Sequence, residues 1–223
     1  MGALSEILNI RPGATAVVGS GGKTTLLRSV GEELADEGQR VILCTTTHIL
    51  PFPGLPLAES AENARKLLSS ESLICVGTKE PETGKLTGPA CAMRDLLEMA
   101  DYVLVEADGA ARRPLKAHAS HEPVIPKEAG QTICVVGLSG LGREICEAVH
   151  RPEIFSRLTG EPVTAPVSFS VLAAALRQEA LGDRFFLNQA DTPERWEWGR
   201  ELAQLLDRPC IVGALQKGMY GAC

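Results

Sequence analysis

The feature that most constrains the fold is the stretch VVGSGGKTTL at residues 17–26. The apolar run TAVVG (15–19) predicts a buried strand. The amphipathic run after it (23–38) predicts a helix that Gly38 ends, and the glycines between them predict a tight loop. A strand that leads into a helix through such a loop places backbone N–H groups and the helix N-terminus around an anion. The stretch therefore predicts an α/β domain with a phosphate-binding loop.

The rest of the chain repeats this alternation of short apolar runs and amphipathic runs, which predicts a mostly parallel sheet covered by helices on both faces. The predicted strands are 15–19, 40–47, 101–107, 132–138, 184–191 and 209–215, and the predicted helices are 23–38, 58–70, 93–100, 152–159, 168–180 and 193–207. Two short runs around a polar tip at about 72–90 predict a small β-hairpin insertion. We expect residues 1–223 to form a single doubly wound domain of the P-loop NTPase-like class.

Composition excludes some classes of partner. The net charge of −6 and the pI of about 5.3 disfavour binding to a nucleic-acid backbone. There is no apolar run of membrane-spanning length and no charged-then-apolar leader, which predicts a protein that does not enter the membrane. Seven scattered cysteines without a C-x-x-C pair predict reduced core thiols rather than a zinc site. These features together predict a cytoplasmic protein.

The loop departs from a strict P-loop, G-x-x-x-x-G-K-[ST], because Val17 occupies the first glycine position. The shorter pattern G-x-x-G-K-T-T, which starts at Gly19, resembles the compact loops of Mur-type ligases and of some relatives of ParA-like ATPases. The alternative is a tight turn with a solvent-facing lysine. The candidate nucleotide-binding residues of the loop are Gly19, Ser20, Gly21, Gly22, Lys23, Thr24 and Thr25.

A second element of the predicted site is DYVLVEADGAARRPLK at 101–116. Glu106 ends the predicted strand, and Asp108 follows two positions later, so both face the same side of an extended chain. We expect Lys23 to bind the outer phosphates, and Thr24 and Glu106 to hold Mg²⁺ through hard oxygen ligands. We expect Asp108 to position the nucleophile.

Three cations, Arg112, Arg113 and Lys116, follow the carboxylates. Arg112 or Arg113 could balance the charge that develops on a transferring phosphoryl group. The alternative is a solvated basic loop. Thr45, Thr46 and Thr47, with His48 after them, likewise end a predicted strand, where hydroxyls either contact metal and phosphate or serve only in strand packing.

The segment FLNQAD resembles the N-K-x-D element of GTPases, with Gln189 in place of the lysine. Asn188 and Asp191 would then contact a base, and the Asp191 carboxylate would accept hydrogen bonds from guanine that adenine cannot donate. The alternative is a helix start at Asp191 or Thr192, just ahead of Pro193. Both ATP and GTP therefore stay open as ligands.

Taken in order, the segments VVGSGGKTTLL, VILCTTTHI, VEADGAARRPLKAHASHEPVIP, VHRPE and FLNQAD resemble the YqeC family over nearly the whole chain. The resemblance implies a P-loop nucleotide-binding accessory protein in the maturation of selenium-dependent molybdenum hydroxylases. It implies a nucleotide as ligand, and a hydroxylase or another maturation protein as partner. His121, His150 and Arg151 lie in matching segments but have no generic role, and Arg151 could pair with Glu153 or bind an anionic substrate.

Two other functions fit the same residues. The loop pattern also suits a small-molecule kinase or an acyl-phosphate ligase like the Mur enzymes. A nucleotide-gated chaperone or scaffold would use the same loop with slow hydrolysis.

Overall fold

A computed structural model describes residues 2–223 as a large sheet with helices around it. The strands are β1 (Gly13–Gly19), β2 (Val41–Thr45), β3 (Leu57–Ala58), β4 (Leu73–Val76), β5 (Thr78–Lys79), β6 (Leu86–Thr87), β7 (Tyr102–Glu106), β8 (Leu115–Lys116), β9 (Ala129–Gly137), β10 (Val149–His150), β11 (Arg184–Asn188), β12 (Cys210–Ala214) and β13 (Met219–Ala222). The α-helices are α1 (Leu4–Ile7), α2 (Lys23–Asp36), α3 (Ala61–Leu67), α4 (Met93–Met99), α5 (Ile145–Ala148), α6 (Pro152–Thr159), α7 (Phe169–Glu179) and α8 (Pro193–Gln204). Short 3₁₀ turns follow β9 and β12 at Leu138–Gly140 and Leu215–Lys217.

The main sheet has nine strands in the order β13-β12-β11-β9-β1-β7-β2-β4-β3. All neighbouring pairs are parallel except β12 and β13, which are antiparallel. The predicted α/β architecture with a mostly parallel sheet is therefore confirmed. Two further two-stranded sheets, β8 with β10 and β5 with β6, lie outside the main sheet.

Successive residues of the buried strands pack on opposite faces of the sheet, as the period of two requires. On β7, Leu104 joins the core beneath α1 and α2, whereas Val103 and Val105 join a separate core with α3 and α4. Helices α7 and α8 pack on a third cluster, which includes Val18 of β1. Because β1, β2, β7 and β9 are buried on both faces, their sequences read as continuous apolar runs.

Two sequence-based assignments differ from the structure. The prediction of a hairpin over 72–90 is wrong in its first half, because β4 is a buried strand of the main sheet that pairs in parallel with β2 and β3. Only β5 and β6 form the antiparallel hairpin. The prediction that the strand near 209–215 is the last one is also wrong, since β13 follows it. The turn between them is too short for a crossover, so β13 runs antiparallel.

The strand order places a topological switch point at β1. Strands β2, β3, β4 and β7 lie on one side of β1, and the chain then crosses to build β9, β11, β12 and β13 on the other side. In open α/β sheets, ligands bind beyond the carboxyl ends of the strands at such a point. The glycine-rich loop that leaves β1 lies at this position.

Among residues 2–223, no helix is both long enough and apolar enough to cross a lipid bilayer.

The tight packing of the loop on β9 gives a stability prediction. Gly19 has a φ of +89°, and a Cβ at this position would lie 2.3 Å from the carbonyl oxygen of Val135. Backbone strain and overpacking together predict that Gly19→Ala lowers the free energy of unfolding by about 2–4 kcal/mol. Urea denaturation measures this change.

The matched control is Gly84→Ala in the β5–β6 hairpin, where φ is +67° and no atom lies within 4 Å of an added Cβ. It should cost only about 1 kcal/mol, the conformational penalty alone. Equal losses in the two variants would contradict the packing argument.

Candidate functional site

The loop from Gly19 to Gly22 is held by strands on both sides of β1. The Gly19 N–H donates to Asp108 Oδ2 at 2.9 Å, just beyond β7. From the other side, Asn188 Nδ2 of β11 donates to the Gly21 carbonyl at 2.7 Å. The Ser20 hydroxyl donates to the Arg113 carbonyl. The loop is therefore fixed by contacts from three other segments.

Lys23 opens α2, and its ammonium group is buried beneath the loop. Its Nζ donates to the Gly19 carbonyl at 2.8 Å and lies 3.0 Å from Asp108 Oδ1 and 3.6 Å from Glu106 Oε1. This side chain is not the solvent-facing lysine of the alternative interpretation, since its exposed fraction is 4%. The ammonium therefore lies beneath the loop, between the Gly19 carbonyl and two carboxylates.

Thr24 and Glu106 meet, although they are 82 residues apart in sequence: Thr24 Oγ1 donates to Glu106 Oε2 at 2.7 Å. Burial raises the pKa of Glu106 above its ordinary value, against the lowering effects of the Lys23 charge and the Thr24 hydrogen bond. A divalent cation would favour the ionised carboxylate. A hydroxyl and a buried carboxylate are hard oxygen donors, so this pair fits the chemistry that Mg²⁺ prefers.

The arrangement differs from a multi-carboxylate metal centre. Within residues 2–223, no group of three or more His, Cys, Asp or Glu side chains is placed to hold a metal ion. A cation at Thr24 and Glu106 would therefore depend on ligands beyond these two side chains, such as water and phosphate oxygens, as Mg²⁺ commonly does.

Asp108 has no exposed surface and is the centre of a charged cluster. Besides Gly19 and Lys23, its carboxylate contacts Lys116 Nζ at 3.3 Å and His118 Nε2 at 2.7 Å. Burial opposes ionisation, but the His118 hydrogen bond and the two lysine charges outweigh it and lower the pKa of Asp108 to about 2. Since all these contacts are internal, Asp108 would have to exchange one of them to position a nucleophile, and that role stays a prediction.

The two predicted cations beyond Asp108 differ in their surroundings. The Arg113 guanidinium donates to the carbonyl of Cys146, at 3.2 Å, and to that of Glu147, both on α5. Arg112 is exposed with a φ of +58°, and its side chain has no hydrogen-bond or ion-pair partner within residues 2–223. Arg112 is therefore the freer of the two to reach a ligand.

The threonines that end β2 bind the protein itself. Thr45 Oγ1 donates to the Glu106 carbonyl at 2.8 Å, and Thr46 Oγ1 donates to the Val124 carbonyl at 2.7 Å. Their hydroxyls tie β2 to β7 and to the loop after it. His48 lies at the surface, 3.9 Å from Glu80 of the hairpin.

A cleft of about 240 Å³ lies beside the loop, on the side of β11. Asp191 lines it, and so does Gln189, whose Oε1 accepts from Ser139 Oγ at 2.5 Å. Asn188 also lines it, but its amide is already used, because Oδ1 accepts from the Leu215 N–H at 3.2 Å while Nδ2 holds Gly21. The other lining residues are Gly21, Gly22, Thr25, Ser139, Leu215 and Gln216.

The helix-start interpretation also holds at this edge. Thr192 caps α8, with its side chain accepting from the Arg195 N–H, and Pro193 is the first helical residue. Because Thr192 serves as the cap, the Asp191 carboxylate is not needed for it. That carboxylate is partly exposed and lies 3.8 Å from Arg195.

A buried chain of ion pairs extends from the site towards the surface. Lys116 Nζ contacts Glu122 Oε2 at 2.9 Å, and Glu122 Oε1 contacts Arg151 at 3.0 Å. Arg151 therefore pairs with Glu122 rather than with Glu153. His150 pairs with Lys116 in the β8–β10 register, and burial together with the charges of Lys116 and Arg151 lowers its pKa.

Sequence reasoning missed the other contact of Asp108, the His118–Glu179 pair. His118 Nδ1 lies 3.0 Å from Glu179 Oε2 at the end of α7, and the His118 backbone N–H donates to Glu179 Oε1 at 2.7 Å. No motif marks either residue. The only sequence signal was that His118 lies in the segment that follows the carboxylates.

Comparison with known proteins shows what the chain is similar to. Residues 15–153 match the model of the YqeC protein family. The chain is also 37% identical over 175 residues to the uncharacterized protein YqeC of Escherichia coli (strain K12), a match that covers 75% of this chain and 68% of the relative. The family match includes the loop, Glu106, Asp108, His118 and Arg151. The chain therefore belongs to the YqeC family.

Proposed function

We propose that the protein is a P-loop NTPase-like domain that binds and hydrolyses a nucleoside triphosphate with Mg²⁺. One observation carries the proposal: the loop at the switch point brings Lys23 and Thr24 against Glu106 of the neighbouring strand. A tight turn without function would not need a buried lysine or a buried carboxylate, both of which are costly to desolvate. A polyphosphate and a divalent cation would give both groups a partner.

Each group of residues would have its own role in binding the nucleotide, set by its position in the site. The backbone N–H groups of the loop and the N-terminus of α2 would surround the phosphates, and Lys23 would leave its carboxylate partners to contact the outer phosphates. Thr24 and Glu106 would hold Mg²⁺, which neutralises phosphate charge when bound. Asp108 would keep Gly19 and Lys23 in place, and Arg112 is the cation with freedom to approach the transferring group.

We propose that this nucleotide chemistry serves the maturation of selenium-dependent molybdenum hydroxylases, as the family resemblance implies. The seven cysteines are all free thiols, which suits a reducing compartment such as the cytoplasm.

We propose that the cleft beside the loop takes the nucleobase. Five of the nine residues that line the cleft, among them Asp191 and Gln216, come from β11 or from segments after it, and a nucleobase there would lie next to the loop.

The first prediction concerns Lys23. Lys23→Ala should reduce the affinity for Mg-ATP and Mg-GTP by at least about 100-fold, because a charge-assisted contact to phosphate is lost. Calorimetry with and without Mg²⁺ measures this, and binding by the natural protein should require Mg²⁺. Lys66→Ala is the control, since α3 packs on β3 and β4 at one edge of the sheet, away from the loop after β1. Unchanged turnover in Lys23→Ala would refute the proposed site.

A second prediction concerns the base. The Asp191 carboxylate accepts hydrogen bonds, so we expect GTP to bind more tightly than ATP and Asp191→Asn to reduce that preference about tenfold. Competition between the two nucleotides for the protein gives the ratio directly. Glu194→Gln, on the first turn of α8 but outside the cleft lining, is the control. A clear preference for ATP would leave Thr192 as a helix cap and Asp191 without a role in base recognition.

A third prediction separates an accessory protein from a small-molecule enzyme. A protein that serves maturation should hydrolyse nucleotide faster when a molybdenum hydroxylase apoprotein is added. A kinase or ligase should instead respond to its small acceptor. Steady-state hydrolysis, with Lys23→Ala as the inactive reference, measures both; stimulation by an acceptor alone would contradict the accessory role.

A further inference from the structure

The contact that the sequence did not reveal lies behind the phosphate loop. His118 has a side chain that is 5% exposed, and both ring nitrogens have carboxylate partners, Asp108 on one side and Glu179 on the other. Carboxylates only accept hydrogen bonds, so each ring nitrogen must donate, which requires the doubly protonated ring. Burial lowers the pKa of His118, but the bonds to Asp108 and Glu179 outweigh burial and raise it above its ordinary value.

The Asp108 oxygen that His118 contacts is the one that holds the loop. Oδ2 accepts from His118 Nε2 at 2.7 Å and from the Gly19 N–H at 2.9 Å, while Oδ1 lies 3.0 Å from Lys23 Nζ. Rotation of this carboxylate would disturb both the first residue of the loop and its lysine. His118 therefore acts on the loop through Asp108.

Charge gives a second reason for this arrangement. When Lys23 turns towards a polyphosphate, Asp108 loses one of its cations and faces the added negative charge across the loop. A carboxylate near phosphates raises the free energy of binding unless another cation compensates it. His118 and Lys116 are the cations that remain against Asp108, and Lys116 is shared with Glu122.

We propose that His118, oriented by Glu179, is a positioning residue of the phosphate site that fixes Asp108 against Gly19 and Lys23 and compensates its charge when a polyphosphate binds. The inference rests on the proposed function, since it assigns a residue to that same site. It also gives α7 a role, because Glu179 is the last residue of that helix.

The test compares His118→Leu, His118→Gln and Glu179→Gln in the full chain, with Mg-ATP and Mg-GTP as probes. We expect His118→Leu to weaken the tighter of the two by about tenfold or more, equivalent to about 1.4 kcal/mol per factor of ten. His118→Gln keeps an N–H donor without the charge and should restore part of the loss. Exposed His121→Leu is the matched control and should bind as the natural protein does.

A pH series separates charge compensation from a purely structural role. The ionisable groups around the ring are Asp108, Glu179, Lys116 of β8 and Cys134 of β9. Because the folded pKa of His118 is raised, the charge is present at low pH and is lost as pH rises through that pKa. The affinity of the natural protein should therefore fall with rising pH, and that of His118→Gln should fall less.

The outcomes are distinct. Binding by His118→Leu within twofold of the natural protein, or the same pH dependence in His118→Gln, overturns the role of His118 and leaves the proposed function intact. Failure of the natural protein to bind either nucleotide overturns the proposed function and, with it, this inference. Thermal unfolding will show whether His118→Leu folds. If it does not, the pH dependence of His118→Gln and the affinity of Glu179→Gln test the role of His118 instead.

Discussion

The site depends on keeping one fully buried carboxylate ionised. Asp108 has no contact with solvent, so its charge persists only because the protein surrounds it with Lys23, Lys116, His118 and a backbone N–H. Removing any one partner leaves the others with an imperfectly balanced buried charge, which is costly. This cluster fixes the path of the glycine loop and the resting position of its lysine at once.

The same cluster connects the loop to two distant parts of the surface. One branch runs through Lys116 and Glu122 to Arg151, where α6 begins, and the other runs through His118 to Glu179, where α7 ends. In both branches cations and anions alternate, so each charge has a partner of opposite sign. A ligand that changes the charge at the loop would therefore change the electrostatic balance along both branches.

Much of the site could be predicted from sequence because its signals are local. The loop pattern places Lys23 and Thr24, a strand ending in a carboxylate places Glu106, and the rule that parallel strands end at one edge brings them together. The His118–Glu179 pair could not be predicted in this way, because His118 does not end a strand of the main sheet and the periodicity of α7 does not indicate what Glu179 at its end contacts. Their meeting depends on how α7 packs, which only the tertiary structure specifies.

The errors in the fold have similar physical causes. The run at β4 is apolar at every position, which is typical of an internal parallel strand, but the nearby turn signals suggested a hairpin. Strand β13 is a short edge strand with a glycine in its interior, and glycine is unfavourable in strands. Asn188 lines the cleft, and both ends of its amide also join the loop to the segment after β12. Its contact with a base stays a prediction.

That amide has a consequence for how the protein is made. The bond from Asn188 to Gly21 spans 167 residues, and the bond from Asp108 to Gly19 spans 89. During synthesis from the N-terminus, the glycine loop emerges early. Its contacts with Asp108 and Arg113 can form only after about half of the chain has followed, and its contact with Asn188 only after most of it. A ribosome-bound chain that has not yet reached β11 would carry the loop without its contact to Asn188, so the fully fixed loop would form only late in synthesis.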